Sequence, residues 1–459
     1  MLKIYAREEA QATILQRRPI DELAETEAMR QRTIKTFGEY IPPDEVVRRI
    51  LGDVRVRGDA ALIDWTQRID GAALTAEQLL VSDEDIAAAY DHVDAEVVAA
   101  LERAAERIRA FHTRMPAQSW METELGGVMG QLIRPLQRVG IYIPGGSAPL
   151  ASTLLMTAIP ARMAGVDEIV ICSPPSNRQS SIVNRQLGLP HPIILVAADI
   201  AAVDLVFNVG GAQAIGGMAF GTNTLPRVDK ICGPGNLYVV LAKKQVFGVV
   251  GIDALPGPTE TVIVADAGAH PAWLAADLLA QAEHSGGTAI LMTPVRALAE
   301  QVGIEIDKQI VSLATAPEIR ASLAQRSGAV ITEDVLEAVT LADDFAPEHL
   351  CLSVREPWAW VHKIRNAGGV FVGEQSYEVL GDYCAGPSHV MPTGATARFT
   401  PPCNVLDFVR VMNVIALDEN TARAIGPVAA KLAQAEGLPA HENAVRRRLA
   451  VSSEQSANR

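Results

Sequence analysis

From Arg138 onward the chain alternates short apolar strands, glycine-rich turns and helices, and no other feature limits its fold so tightly. RVGIYI leads through PGGSAP into LASTLLMTAIPARMAG, where Pro160 is expected to kink the helix. EIVICS is followed by the polar loop SNRQSSIVNRQLGLP and the helix ILVAADIAAV, LVFNV by GGAQA and AIGGMAFG, and DKICGPG by NLYVVLAKKQVFG. Parallel strands need a crossover connection, so this repetition specifies a parallel sheet, with ligands expected at the carboxyl ends of the strands where the turns collect. A second run starts after LPGPTE with TVIVAD, PAWLAADLLAQAEH and AILMT, and continues through two helices over roughly 294–327, AVIT and DVLEAVTLADD. The stretch before about residue 115 is rich in Ala, Glu and Arg at helical spacing, and the chain from about Thr400 reads as helical again. We therefore expect an α/β fold of two Rossmann-like parallel-sheet domains with helical N- and C-terminal additions.

Charge and cysteine usage narrow the partners. Forty basic against 54 acidic residues leave a formal charge of -14, which disfavours nucleic acid and anionic membrane surfaces and favours a small ligand. The five cysteines, Cys172, Cys232, Cys351, Cys384 and Cys403, are scattered without a CxxC pair, so neither a disulfide framework nor a cysteine zinc site is indicated. MLKIYAREEA is charged where a signal peptide needs its apolar region, and no apolar run approaches the roughly 18 residues of a membrane span. A reducing cytoplasm is the expected location.

Chemistry concentrates in the second half of the chain. Gln281 and His284 in LLAQAEHS are three residues apart on what reads as a helix, which places two metal donors, or two ordinary solvated side chains, one turn apart. His349, His389 and His441 fall in the compact motifs PEH, GPSH and AHEN, whereas His92 and His112 read as surface or packing histidines. In the otherwise apolar APEHL, His349 can take a proton near pH 7 and Glu348 can orient it or handle a second proton; a buried structural pair is the alternative. Asp382, in the turn Gly381-Asp382-Tyr383, is an oxygen donor or simply a turn residue. With Gln281, His284 and His441 it makes a nitrogen and oxygen set suited to zinc. Cys384 lies two residues beyond and reads as an inert thiol. The turns Pro144-Gly145-Gly146, Gly210-Gly211-Ala212-Gln213 and Gly233-Pro234-Gly235-Asn236 permit the close backbone approach that a dinucleotide needs. None has the GxGxxG pattern, and tight βα turns alone would use the same glycines.

Taken together, RGDAAL, RVGIYIPGGSAPL, FNVGGAQAI, VDKICGPGN, GIDALPGPTE, DLLAQAEH, FAPEHL, LGDYCAGPSHVMPTG and AEGLPAH resemble, in order, the motifs of the histidinol dehydrogenase family, from about Val46 to Leu449. The chain departs from that family's usual pattern at Thr259, where a serine is usual, and at Ser388, where an asparagine is usual.

The resemblance implies a zinc-dependent, two-step, NAD-linked oxidation of L-histidinol through the aldehyde to L-histidine. Gln281, His284, Asp382 and His441 would hold the zinc, one per subunit, with His441 supplied by the other subunit of a homodimer. His349 would be the general base for the alcohol and Glu348 would activate water. Tyr142, Gln213 and Asn236 would touch NAD. Thr259, His389 and Glu436 would line the substrate together with Glu348 and the metal ligands. The expected division is an N-terminal helical segment 1–36; a first α/β domain from 37–143 and 260–400 carrying metal and catalytic motifs; a second, 144–259, carrying the NAD turns; and a C-terminal helical segment 401–459 with the fourth ligand. Alternatives are a relative oxidising another amino alcohol or a sulfonated diol, and a zinc hydrolase in which Glu348 activates water.

Overall fold

A computed structural model of the chain describes residues 2–17, 27–114, 118–145, 149–176, 188–284 and 286–457. Gly146 and most of the polar loop expected around 176–191 lie outside them. The chain divides into a larger unit, 1–115 with 136–408, and a smaller one, 116–135 with 409–459.

The larger unit contains two parallel sheets. The first has six strands: β1 (Ile4–Ala6), β9 (Glu260–Ala265), β10 (Thr288–Thr293), β11 (Gly328–Ile331), β12 (His349–Ser353) and β13 (Gly369–Val372), in the order β1-β11-β10-β9-β12-β13. Strands β9 and β10 are buried at every position, as expected of strands covered on both faces. Val262, Val264, Ile290, Leu350 and Leu352 point into one core, and Ile263, Ala289 and Leu291 into the core on the opposite face. The second sheet has five strands: β4 (Arg138–Tyr142), β5 (Glu168–Cys172), β6 (Leu205–Phe207), β7 (Lys230–Cys232) and β8 (Gly251–Ile252), in the order β6-β5-β4-β7-β8. Strand order reverses between β4 and β7, and ligands of Rossmann-like sheets sit at the carboxyl ends of the strands there. The α/β class with two Rossmann-like sheets is therefore what the chain adopts.

Three local expectations are corrected. Residues 4–6, read as helical, are a strand, because Ile4, Tyr5 and Ala6 pair in parallel with Ala329, Val330 and Ile331 at the sheet edge. The helices of 43–112 clothe the five-stranded sheet instead of joining 260–400. Val47, Ile50, Val54 and Leu62 share a core with Val170, Phe207 and Ile215, and Ala105 and Ile108 with Ile141 and Ile171. Helical spacing shows that a helix has an apolar face but not which sheet covers it. Finally, the segment after 400 is not wholly helical: β14 (Val409–Ala416) pairs antiparallel with β3 (Val128–Pro135), which pairs with β2 (Trp120–Glu122). This three-stranded sheet and the helices Glu419–Ala435 and Pro439–Ala457 make up the smaller unit. Among the described residues no helix is long and apolar enough to cross a membrane, and the five cysteines are free thiols.

Candidate active site

His349 opens β12 between β9 and β13, with Glu348 just before it, so the pair lies at the amino edge of the six-stranded sheet. The helix Val335–Phe345 ends on Ala346, whose φ of 51° and ψ of 63° place a non-glycine residue in the left-handed region. Such a conformation costs about 1–3 kcal/mol and persists where the surroundings hold it. Here Ala346 N–H bonds to the Ala342 and Asp343 carbonyls at 3.0 and 3.2 Å, and the Ala346 carbonyl accepts from Arg17 at 3.1 Å. On the other side, Gly368 is required, because a Cβ there would come within 2.6 Å of the Glu348 carbonyl.

Glu348 is 7% exposed and His349 is 3% exposed. Burial raises the Glu348 carboxyl from its ordinary 4.5 to about 7, against the opposing effects of His349, a Thr259 hydroxyl bond and the Glu260 backbone. Its Oε2 accepts the Glu260 N–H at 3.1 Å. Glu260 is itself buried and paired with Arg17; burial raises the glutamate and lowers the arginine, while their mutual contact opposes both changes. His349 Nε2 has no hydrogen-bond partner among the described residues and lies 3.7 Å from Asp382 Oδ1. A carboxylate near pH 7 beside a buried imidazole suits two proton transfers at neutral pH.

The expected donors Gln281 and His284 flank the end of the helix Pro271–Ala282. The helix stops at Ala282 with Glu283 as its C-cap, so His284 lies just beyond it and is not part of a helical face as expected. Gln281 is fully buried, its Oε1 3.5 Å from Thr259 Oγ1, and its Nε2 has no partner among the described residues. No basic side chain occupies the last turn, so the negative end of the helix dipole is left to attract a cation. Asp382 sits in the short helix Glu378–Tyr383, not in the turn expected. Burial lowers the pKa of His389, whose electrostatic neighbours are Asp382, His349 and His284. Its Nδ1 bonds to the Asp382 carbonyl and its Nε2 lies 3.0 Å from Thr153 Oγ1, so both nitrogens have protein partners. Among the described residues no three His, Cys, Asp or Glu side chains are gathered tightly enough to hold a metal by themselves. The set expected here includes an amide and a histidine of the smaller unit.

A cavity of about 490 Å³ is lined by Tyr142, Gly145, Gly211, Asn236 and His284. It joins the carboxyl ends of the five-stranded sheet to the donor region. Gly233, at φ 104°, tolerates no side chain, since a Cβ would lie 2.2 Å from the Tyr142 carbonyl. Beneath that turn the fully buried Lys243 donates to the Gly233 carbonyl at 3.0 Å and pairs with Asp253, which accepts the Gly233 N–H at 2.8 Å. Asn236 Oδ1 caps the helix Leu237–Val246, accepting from Tyr238 and Val239 N–H at 3.0 and 3.2 Å, which leaves its amide nitrogen for a ligand. The Tyr142 hydroxyl accepts from Gly211 N–H at 3.2 Å, and burial raises its pKa. Gln213 does not line the cavity. It is fully buried, and neither of its amide atoms has a partner among the described residues.

Glu436 and His441 belong to the smaller unit, where Glu436 caps the helix Glu419–Ala435 and His441 lies in the first turn of Pro439–Ala457. Both are exposed. His112, read as a surface or packing histidine, is buried, and burial lowers it to about 4. Cys384 is partly buried against the core, in keeping with an inert thiol. Sequence reasoning missed Glu378, Thr261, Glu260 and Arg17. Glu378 precedes Asp382 by four residues, a helical spacing that would have drawn attention had GEQSYEVLGDY been read as a helix.

The model of the histidinol dehydrogenase family matches residues 39–449. The chain is 50% identical over 445 residues to a histidinol dehydrogenase of Deinococcus radiodurans, covering 96% of this chain and 98% of that one. It is 49% identical over 399 residues to one of Thermus thermophilus, covering 87% and 92%. A crystal structure of histidinol dehydrogenase from Elizabethkingia anophelis superposes with a TM-score of 0.87 at 33% identity, over 98% of this chain and 99% of that chain.

Proposed function

From the premise that the chain belongs to the histidinol dehydrogenase family, oxidoreductases of histidine biosynthesis, we propose that it oxidises L-histidinol twice, through the aldehyde to L-histidine, with zinc and NAD. The observation that carries the reading is the Glu348-His349 pair: two buried proton acceptors, side by side, with His349 Nε2 unclaimed among the described residues. A hydrolase needs one such base and no dinucleotide crevice. Two successive oxidations need a base for the alcohol and another for the water that hydrates the aldehyde.

The residues fit both groups. The fully buried Gln281, whose amide oxygen meets Thr259 only at 3.5 Å and whose Nε2 has no partner among the described residues, ends a helix at the negative pole of its dipole, and that oxygen with His284 and Asp382 suits a divalent cation with nitrogen and oxygen donors. Gln281, His284, Asp382 and His441 would hold zinc. The glycine turns at the strand-order reversal, with Tyr142 and Asn236 on the cavity wall, suit a dinucleotide. When bound, zinc positions the substrate's imidazole and amine and NAD takes up one hydride in each oxidation. His349 accepts the alcohol proton at Nε2. Glu348 draws a proton from the water that adds to the aldehyde, and the enclosure of both groups keeps a reactive aldehyde from bulk solvent. Thr259, whose hydroxyl reaches both Gln281 and Glu348, His389 and Glu436 would line the substrate.

A homodimer with shared sites would bring His441 of one copy to the donors of the other. The smaller unit exposes Ile415 at 72% and Leu432 at 59%, with Val411, Ile425 and Val428 also exposed, an apolar surface suited to a second copy of the chain. We assign the enzyme to the cytoplasm, consistent with its free thiols. NADH formation from L-histidinol, compared with other amino alcohols and with sulfonated diols, before and after chelation and zinc readdition, tests the reading. Turnover of another alcohol with none of histidinol would overturn the substrate, and activity indifferent to chelation would overturn the metal.

A further inference from the structure

The two ring nitrogens of His349 have different surroundings. Nδ1 lies 3.3 Å from the Glu260 carbonyl, 3.5 Å from Thr261 Oγ1, 3.7 Å from Glu378 Oε1 and 3.9 Å from Glu348 Oε2. Nε2 has no hydrogen-bond partner among the described residues; its nearest carboxylate oxygen, Asp382 Oδ1, lies at 3.7 Å, beyond hydrogen-bond reach. A neutral imidazole carries its proton on the nitrogen that faces acceptors. Nδ1 is therefore the protonated nitrogen, and the Nε2 lone pair is open to an incoming proton.

Of the oxygens about Nδ1, the Glu260 carbonyl is fixed by the sheet and Glu348 is engaged with the Glu260 N–H and Thr259. Glu378 remains. It is 4% exposed, and its Oε2 accepts the hydroxyl of the fully buried Thr261, which leaves Oε1 on the His349 side. It also stands one turn before Asp382 on the helix Glu378–Tyr383, so one short element carries a carboxylate toward each nitrogen of the ring. A packing role would need only a group of this shape that accepts from Thr261; an amide would serve as well.

We propose that Glu378 is the positioning residue of His349. Held by Thr261, it keeps Nε2 turned toward the substrate and, against the burial and the Asp382 charge that raise its own carboxyl well above the ordinary 4.5, offsets the positive charge of the ring once it has taken the alcohol proton. In that step the substrate O–H bond breaks, an N–H bond forms at Nε2, and the hydride from carbon goes to NAD. Glu378 exchanges no proton. The arrangement repeats the logic of a base oriented by a buried carboxylate. It rests on the reading of His349 as the base.

The test uses the zinc-loaded full-length enzyme with L-histidinol. Glu378→Gln keeps the Thr261 bond and removes the charge. We expect kcat to fall by about 10- to 100-fold, the range seen when orienting partners are removed, with KM for histidinol, zinc content and melting temperature unchanged, and Glu378→Asp to recover much of the loss. His349→Gln serves as reference: adding Glu378→Gln to it should cost nothing more, because Glu378 acts through His349. A Glu378→Gln kcat within twofold of the unaltered enzyme, or a further loss in the His349→Gln background, overturns the proposal. Full activity of His349→Gln would instead overturn the role of the base. If Glu378→Gln fails to fold or to hold zinc, Thr261→Ser and Thr261→Val decide, since only the valine removes the hydroxyl that holds Glu378. Equal kcat in those two overturns the proposal, and a loss confined to the valine supports it.

Discussion

Glu348→Gln separates the two oxidations and carries a second, independent signature in stability. The glutamine can still accept the Glu260 N–H that now bonds Oε2 at 3.1 Å, so the local backbone need not move. What it removes is a base. General-base assistance is worth about 10²- to 10⁴-fold, and that loss should fall on aldehyde oxidation, with alcohol oxidation changed by less than about tenfold if His349 serves it alone. With histidinol and excess NAD, the variant should release one NADH per site rapidly and then stall. With the aldehyde supplied directly, its kcat should fall by the full factor.

The unaltered enzyme's aldehyde step should rise with pH through about 7, where Glu348 loses its proton, and the variant should lack that rise. Stability runs the other way. A carboxyl raised from 4.5 to about 7 in the folded chain imposes no cost below the unfolded value. The cost grows as pH climbs between the two values and levels off above the folded one, at about 3–4 kcal/mol from about 1.4 kcal/mol per pH unit. Glu348→Gln should therefore unfold later than the unaltered enzyme at pH 8, and by much less at pH 5. Equal losses in both oxidations would refute the division of labour. A stability gain of the same size at pH 5 and pH 8 would refute the attribution to a buried charge.

Three further outcomes are expected. Co-expressed His441→Asn and Gln281→Ala subunits, each inactive alone, should regain activity as mixed dimers, because one site then combines an intact Gln281 with an intact His441; no recovery would place all four donors in one subunit. Gly381→Ala puts a Cβ 2.5 Å from the Phe371 ring, which itself packs on His349 with centroids 5.7 Å apart, and overpacking of about 1–3 kcal/mol should lower both zinc content and kcat; normal values of both count against the contact. Asn236→Asp keeps the cap of Leu237–Val246 and so should melt normally, yet should raise KM for NAD about tenfold, equivalent to about 1.4 kcal/mol of repulsion at the cofactor, whereas an unchanged KM would remove Asn236 from the NAD site.

How much of this was legible in the sequence depends on the range of the interaction. Alternating apolar runs and glycine turns identified β4 to β7 and β9 to β11, because burial on both faces leaves a dense local signal, whereas β1, β8 and β13, at sheet edges, and β12 were not identified as strands. Helices 43–112 were recognised as helices but placed with the wrong sheet, since partner choice is a property of the packed cores. Motif order singled out Glu348, His349, Gln281 and Asp382 as candidates for the site. Glu378 escaped notice because its importance comes from Thr261 and His349, 117 and 29 residues away. Arg17 was missed for the same reason: it reaches Glu260 from the far N-terminal end of the chain. The amino-edge location of the catalytic pair was also invisible, because the rule that places ligands at carboxyl ends describes the cofactor sheet and says nothing of the other.

That location has a mechanical consequence. His349 is a rung of the six-stranded sheet, in register with Thr261 on one side and Gly369 on the other, so its backbone cannot shift without shearing two strand pairings. In the proposed reaction cycle, in which one reduced cofactor would depart and an oxidised one arrive while the aldehyde waits, the proposed base His349 would be a fixed point. On that reading, opening and closing for the exchange would fall to the five-stranded sheet and its glycine turns, and a variant that loosens the exchange should alter the interval between the two hydride transfers without altering the first.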